Sequence, residues 1–516
     1  MHPHLPLTLE DILESNATRF GDRPAYVMDD GTALTHRALL ERARKLASAL
    51  HKTGMRHQDR VAVLAMNSLE ITEVLHAGQV SSFIVGTVNF RLAPPEILYI
   101  LTDIAPKTLV FEAQYLDVID ALRPRLDIDT YVCVGGSADW AMDYEAFVAT
   151  GDADDMPVSP QEEDIYCVIY TSGTTGKPKG CIWGHREIRS LAERMSIEMR
   201  AGPAHRLMLV MPLFHIGAIA IGFGVQFRGG TVFVQRAFDP AAALATIAGE
   251  KITHLHFAPT MVQMLLEAPS AEGTDFSSVE TVVYSAAPMP TPLLRRCIAL
   301  MGKVFINLYG QSEVITSGLD RDLHRPDGSE RERGWLVSVG HPYPSTLVRI
   351  VGEDGRDCGV NEPGEIVVRS TAMARGYWNN HPATLDTFRA GWCHSGDMGR
   401  IDEDGILYLV DRKKDMIISG GENIYSREVE DAILHHDAIS ECAVVGLPDA
   451  KWGEIVCAVV TVKAGAAAPT EEALIDHVKT LIASYKKPKK VLFAEELPKL
   501  PTGKINKVAL REQVAG

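Results

Sequence analysis

At 516 residues the chain is longer than one ordinary core serves, so two or more domains with a sizeable buried interior are expected. Lysine and arginine total 51 against 67 aspartate and glutamate, a net charge of -16, which argues against a general nucleic-acid binder but not against a local basic site. The closest of the eight cysteines, Cys167 and Cys181, lie 14 positions apart; that spacing excludes a zinc ribbon or a CxxC redox pair, and a reducing, cytoplasmic setting is the simple expectation.

In chain order, the first stretch, "MHPHLPLTLEDILESNATRF", lacks a basic region followed by an apolar run, so no signal peptide is expected. To about residue 330, strand-like runs ("RVAVLAM", "TLVFEA", "DIYCVIY", "RLMLVM", "THLHFAP", "TVVYSAA", "VFINLYG") alternate with amphipathic stretches such as "HRALLERARKLASALHKTG". This alternation predicts mostly parallel sheets flanked by helices. Leu207 to Val225 is 19 residues without a formal charge, long enough to span a bilayer, but Pro212, His215, Gly217, Gly222 and Gly224 interrupt it, and a strand, a loop and a buried helix are expected instead of a transmembrane segment. From about 335 to 411 short alternating strands with Asp-Gly turns predict hairpins in a small barrel or antiparallel sheet. "DRKKDMIISGGENIYS" then leads into a final mixed unit. The fold class expected is therefore α/β: a large N-terminal domain over 1–411, barrel-like from about 335, then a smaller α+β domain over 412–516, with a boundary at 412–414. No repeat and no low-complexity segment is evident.

The most informative stretch is "YTSGTTGKPKG" at 170–180. Directly after an apolar strand, Thr171, Ser172, Gly173, Thr174, Thr175 and Gly176 offer closely spaced N–H and hydroxyl donors, and Lys177 or Lys179 adds charge; the set suits phosphate oxygens. The spacing fails the Walker A pattern, because Gly173 and Gly176 are too close and Pro178 follows Lys177. A solvent-exposed Ser/Gly linker is the alternative, and two lysines with a proline weigh against it. No G-x-S-x-G elbow is present, since "GQSEV" lacks the second glycine.

The loop resembles the phosphate-binding signature of the adenylate-forming superfamily, which includes acyl-CoA synthetases. Further signatures follow in that family's order: "PLFHIG" (212–217), "SAAPM" (285–289), "YGQSE" (309–313), "GE" (364–365), "HSGD" (394–397), "DRKKDMI" (411–417), "GGEN" (420–423) and "PTGKI" (501–505). The resemblance implies two half-reactions: a carboxylate attacks the α-phosphorus of ATP with Mg2+, giving acyl-AMP and pyrophosphate, and a thiol then displaces AMP. It implies Lys504, Glu313, Thr174 and His215 as the catalytic set, with Glu313 and Thr174 on the metal. Ser172, Thr174 and Lys179 would surround the β- and γ-phosphates, Ser312 the α-phosphate, and the ATP site would extend over Thr171 to Gly176, Tyr309, Gly310 and Gln311. Tyr309 would stack on adenine while Asn307 and the backbone of Ala286, Ala287 and Pro288 read its edge. Asp397 and Arg412 would hold the ribose. Lys504 would reach the carboxylate and α-phosphate, and Lys414, at the hinge position of a mobile C-terminal domain, would absorb the rotation that withdraws it.

For the thiol, the resemblance implies coenzyme A: Gly420 and Gly421 match the glycines that let pantetheine pass, Trp452 would line that tunnel, and Tyr485 with Lys487 in "SYKKPKK" would cap the CoA nucleotide. A solvated charge run is the plain alternative for that lysine stretch. The acid pocket would comprise His215, Ile216, Phe257, Tyr284, Gly310, Val314 and Ile315, each of which would serve equally as core packing. It has no carboxylate for an amino group, so a fatty (medium- or long-chain) or aromatic acid is expected rather than an α-amino acid. Two other readings stand beside the CoA ligase: a fatty acyl-AMP ligase loading an acyl carrier protein, and a catalytically degenerate binding relative. The partners expected are small molecules, with no nucleic acid, and a homo-oligomer is compatible. The sequence departs from the family pattern at Ser395, where threonine is usual, at Asn506, where arginine is common, and in "GQVSSFIVGTVNFRL" before residue 93.

Overall fold

The computed structural model describes residues 7–156, 159–171, 177–287, 289–412, 415–419, 422–449, 451–499 and 505–515, with 412, 423 and 515 described in backbone only. The chain forms two compact units, Met1–Val348 with Val368–Cys393, and Arg349–Val367 with His394–Gly516.

Two seven-stranded sheets organise the first unit. One runs Phe305–Asn307, Thr281–Tyr284, His254–Phe257, Arg206–Leu209, Thr231–Val234, Pro24–Met28, Ala33–Thr35, parallel throughout except for the last pair. The other runs Met142–Asp143, Thr130–Val134, Thr108–Glu112, Arg60–Leu64, Ile84–Thr87, Ile165–Thr171, Lys179–Gly184, again parallel until its last pair. Parallel strands bury both faces, which is why they read as continuous apolar runs. One core cluster joins Val63, Val85 and Ile169 of one sheet and Leu207, Leu209 and Val283 of the other to Leu46, Val74, Leu191 and Ile219 of four helices. The remaining sheet faces carry separate clusters: Met208, Leu255, Phe257 and Tyr284 in one, Ala62, Leu64 and Val168 in the other.

The uncharged run at 207–225 becomes the end of the strand Arg206–Leu209, a turn, and the helix Ile216–Gln226. Only Gly217 of that helix escapes burial. The helix is apolar all round because it lies within the core. Among the described residues no helix is long and apolar enough to cross a membrane.

Where a small barrel or antiparallel sheet was expected, the strands Thr346–Val351, Gly364–Ser370, Phe388–Arg389, Trp392–Ile401 and Leu407–Arg412 form one five-stranded sheet. The second unit holds a mixed sheet, Glu422–Ile424, Ile417–Ser419, Gly453–Val462, Ile439–Asp449, with Lys490–Phe493 parallel to Gly453–Val462. Helices Ser426–Leu434 and Glu471–Leu481 cover one face through Val429, Ile433, Leu474 and Val478. Leu510 of the helix Lys507–Ala515 covers the other. The α/β class with a separate α+β unit is as the sequence predicts.

Candidate active site

The phosphate-like loop joins two antiparallel strands whose ends pair Thr171 with Lys179; Ser172, Gly173, Thr174, Thr175 and Gly176 lie outside the described residues. Residues 375–378 run alongside the second strand. Ile182 N donates to Gly376 O at 2.9 Å, Arg375 N to Ile182 O at 2.9 Å, and Trp378 N to Gly180 O at 2.7 Å. Gly376 has φ +150°, and a Cβ there would lie 2.7 Å from Thr384 Cγ2, so only glycine lets the chain turn at this point.

That bend delivers Tyr377. Its hydroxyl donates to Glu313 Oε1 at 2.5 Å, and Lys179 Nζ stands 4.4 Å from the ring centroid. Burial, with Glu313 beside it, pushes the Tyr377 phenol far above its ordinary range, so it remains a protonated donor. The expected phosphate-side cation and the expected metal carboxylate thus meet at one aromatic ring. Sequence reasoning missed Tyr377; its signal was an aromatic beside a glycine in "ARGYW". Cys181 is buried in the same region, and burial together with Glu313 pushes its thiol well up, which leaves it inert.

Glu313 sits in the turn between Tyr309–Gly310 and Ile315–Gly318, closed by Gln311 N to Val314 O at 2.8 Å and Val314 N to Gln311 O at 3.2 Å. Trp183 Nε1 donates to Ser312 O at 3.1 Å and Ala374 N to Glu313 O at 2.8 Å, so the turn is gripped from both sides. A Cβ on Gly310 would lie 2.7 Å from Ile315 Cα. The hairpin itself therefore requires that glycine, whatever else borders it.

Next along the parallel sheet, Tyr284 pairs with Asn307. Ala286 follows in the left-handed region at φ +72°, and Ala286 and Ala287 are exposed while Pro288 lies outside the described residues. Asn307 is buried, yet its Oδ1 has no hydrogen-bond partner among the described residues. Buried acceptors are rarely left unpaired; an orphan two positions from the buried ring of Tyr309 suits the exocyclic amine of a purine.

The expected acid-pocket residues divide. Ile216 and Ile315 belong to the core between the two sheets, and Val314 is fully buried. Phe257 and Tyr284 are register partners on neighbouring strands, but both pack into the other cluster, and Tyr284 OH lies 3.0 Å from His324 Nε2. His215 begins the helix Ile216–Gln226, half-buried against Phe214 with ring centroids 4.4 Å apart. Buried Asn67 fixes this turn by donating to Met211 O and accepting from Leu213 N. Thr87, from the divergent "GTVNFRL" stretch, donates to Phe214 O at 3.2 Å.

In the second unit, Asp397 is buried and pairs across strands with Arg412. Ser395 Oγ donates to Ile366 O at 2.6 Å and accepts from Asp397 N at 3.1 Å, so the hydroxyl alone fixes the turn and the methyl of threonine is not needed. Asn506 Oδ1 accepts from Ala509 N at 3.1 Å, which caps the last helix and gives the unusual asparagine a structural task. Lys507 donates to Ser426 Oγ at 2.7 Å and pairs with Glu430 at 2.6 Å. Asp411 in turn accepts from the N–H and the hydroxyl of Ser426.

Trp452 is 42% exposed with Lys451 Nζ and Lys489 Nζ at 4.8 and 5.6 Å from its ring. Tyr485 is also exposed, and Lys486 beside it is committed to Glu428 at 2.6 Å. Desolvation, then neighbouring Lys489 and Lys479, lower the Lys487 ammonium. Lys414, Gly420, Gly421, Lys504 and the side chain of Arg412 lie outside the described residues.

A family model described as "AMP-binding enzyme" matches residues 13–378, and one described as "AMP-binding enzyme C-terminal domain" matches 428–504. A feruloyl-CoA synthase from Amycolatopsis sp is 35% identical over 96% of this chain and 97% of its own. The long-chain-fatty-acid–CoA ligase FadD13 from Mycobacterium tuberculosis is 34% identical over 97% of both. Among solved structures, the amide bond synthetase McbA from Marinactinospora thermotolerans superposes with a TM-score of 0.88 at 28% identity, covering 98% of this chain and 99% of that one. The chain belongs to the AMP-binding enzyme family, within the adenylate-forming superfamily, among its acid–thiol ligases.

Proposed function

We propose that the protein joins a fatty or aromatic carboxylic acid to coenzyme A through an acyl-adenylate. The observation that carries this reading is the meeting of Lys179 and Glu313 at Tyr377. It couples a cation at the foot of the glycine-rich loop to a carboxylate held in one orientation.

In the first half-reaction a carboxylate oxygen bonds to the α-phosphorus of ATP and the bond to pyrophosphate breaks. Charge builds on phosphate oxygens, so positioned donors and cations supply most of the rate. Lys179 takes terminal phosphate oxygens and Ser312 the α-phosphate. Glu313, with Thr174, would hold Mg2+, a hard ion that would supply charge neutralisation there. Asn307 would accept from the adenine amine, and the family resemblance gives Asp397 and Arg412 the ribose and Lys504 the reacting carboxylate and α-phosphate. In the second half-reaction the thiol sulfur bonds to the acyl carbon, AMP leaves with the C–O electron pair, and the thiol proton passes to solvent. The exposed Trp452 and the lysines around it suit the adenine and phosphates of CoA.

Two relatives of similar identity carry names with an aromatic acid and a long-chain acid, and the apolar Ile216, Val314 and Ile315 suit either body. The test is a panel of short, medium and long fatty acids with benzoate- and cinnamate-type acids, assayed for AMP release with and without CoA. CoA-dependent AMP release from one class is expected. Acyl-hydroxamate formation without CoA-dependent turnover would transfer the reaction to a carrier-protein thiol, and no AMP from any acid would refute the ligase reading.

A further inference from the structure

His256 is fully buried on the strand His254–Phe257, on the face opposite Phe257. Its Nε2 lies 2.9 Å from Ser285 Oγ. Its Nδ1 is buried with no hydrogen-bond partner among the described residues. A buried polar nitrogen left unpaired is costly, and native interiors hold few of them. Beside this ring is Gly217, half-buried in the first turn of the helix that His215 begins. A Cβ on Gly217 would meet one atom within 4 Å, His256 Cε1 at 3.8 Å. The missing side chain therefore brings the helix backbone against the imidazole at Cε1, the carbon between Nδ1 and Nε2, with no side chain of residue 217 covering it.

We propose that His256 Nδ1 is a specificity determinant, hydrogen-bonding an oxygen function on the body of the acid, so that preferred substrates carry a hydroxyl, ether or carbonyl group rather than bare hydrocarbon. This rests on the reading above that the turn bearing His215 and Ile216 lines the acid pocket. The partner at Nε2 makes the nitrogen adaptable. The Ser285 hydroxyl either donates to Nε2, leaving Nδ1–H as a donor, or accepts from Nε2–H, leaving Nδ1 as an acceptor. Burial pushes the ring down to about 4, so a neutral imidazole with one donor and one acceptor is present at neutral pH.

A site that hydrogen-bonds a substrate oxygen discriminates against the analogue lacking it, because its own polar atom is left unpaired; for one neutral bond the ratio expected is roughly 10- to 100-fold in kcat/KM. The experiment compares matched acids, cinnamate against ring-hydroxylated and ring-methoxylated cinnamates and decanoate against mid-chain hydroxy- and ketodecanoates, by AMP release from the full chain. Wild type, His256→Leu and Gly217→Ala are measured together. The wild type is expected to favour at least one oxygen-bearing member by tenfold or more. His256→Leu should collapse that ratio while the hydrocarbon member and KM for ATP change little. Gly217→Ala adds a methyl at ordinary contact distance in a helix, so it should fold at least as well as the wild type and also reduce the ratio. The proposal is overturned if the wild type treats every pair alike, or if His256→Leu lowers both members equally. If His256→Leu does not fold, an unchanged ratio in Gly217→Ala overturns it. AMP release without selectivity refutes this inference alone; no AMP from any acid removes the ligase reading and the inference with it.

Discussion

Replacing Tyr377 with phenylalanine removes one oxygen and leaves the ring. Glu313 Oε1 then loses a donor that stands 2.5 Å away, while Lys179 keeps its aromatic face. A hydrogen bond to a charged group contributes about 1.5–3 kcal/mol, so if that bond fixes the carboxylate for the adenylation transition state, kcat/KM for ATP should fall roughly ten- to hundredfold. Because Tyr377 is 5% exposed, the lost bond should also lower thermal stability by up to the same amount, so rates are compared well below the variant's melting temperature. The Tyr377 phenol is held far above its ordinary range, so removing it should add or delete no limb in a pH–rate profile between 6 and 9. The assay is pyrophosphate release against ATP and Mg2+ concentration, with binding of Mg-ATP measured directly by calorimetry. The variant should need more Mg2+ to saturate, and KM for the acid should stay near the wild-type value. Adenylation within twofold of wild type, or a loss confined to acid affinity, would refute the reasoning.

Changing Lys504 to alanine should cripple adenylation far more than thioester formation from supplied acyl-AMP; equal loss in both half-reactions would count against its assigned role. Phe257→Ala removes a ring from the cluster holding Tyr284 and should cost about 3–5 kcal/mol of stability, read as a lower melting temperature with unchanged acid preference. Unchanged stability with altered chain-length preference would support the expected place of Phe257 in the acid pocket. Burial pushes His76, His254, His256 and His324 down to about 4, so each stays neutral in the fold while the unfolded chain takes up a proton below about 6.5. Stability is therefore complete above that pH and declines as pH falls toward 4, by about 1.4 kcal/mol per unit for each fully shifted histidine; a melting temperature flat from pH 7 to 5 would contradict this.

Much of the fold was legible because buried parallel strands leave uninterrupted apolar runs, and the 19 uncharged residues at 207–225 split around Pro212 and His215, whereas Gly217, Gly222 and Gly224 lie inside the helix Ile216–Gln226 and do not break it. The motifs were legible because their residue types and order are tied to phosphate chemistry. Faces were not. Phe257 and Tyr284 look as apolar as Ile216 and Ile315 in one dimension, yet strand alternation sends them to another cluster, and no signal in a single sequence says which face meets substrate. Tyr377 escaped notice for a related reason: its partners Lys179 and Glu313 are distant in sequence, and only the added pairing of residues 375–378 beside the strand Lys179–Gly184 brings all three together. Ser395 and Asn506 looked like departures, and the structure gives each hydroxyl or amide a backbone to hold.

The two bonds from Ser426 to Asp411 bear on how the part of the chain after 412–414 would turn, within the second unit. Asp411 precedes the 412–414 hinge position and Ser426 follows it, so a rotation there that carries Ser426 away strips two donors from a buried carboxylate. At about 1.5–3 kcal/mol for each bond to a charged group, the hinge would act as a latched joint rather than a free swivel. Lys507, braced on Ser426 and Glu430, ties the start of the last helix to the same latch. Release of that clasp would then add to the barrier for exchange between the two half-reactions, and Ser426→Ala, which removes the hydroxyl bond and keeps the N–H bond, would be expected to quicken that motion.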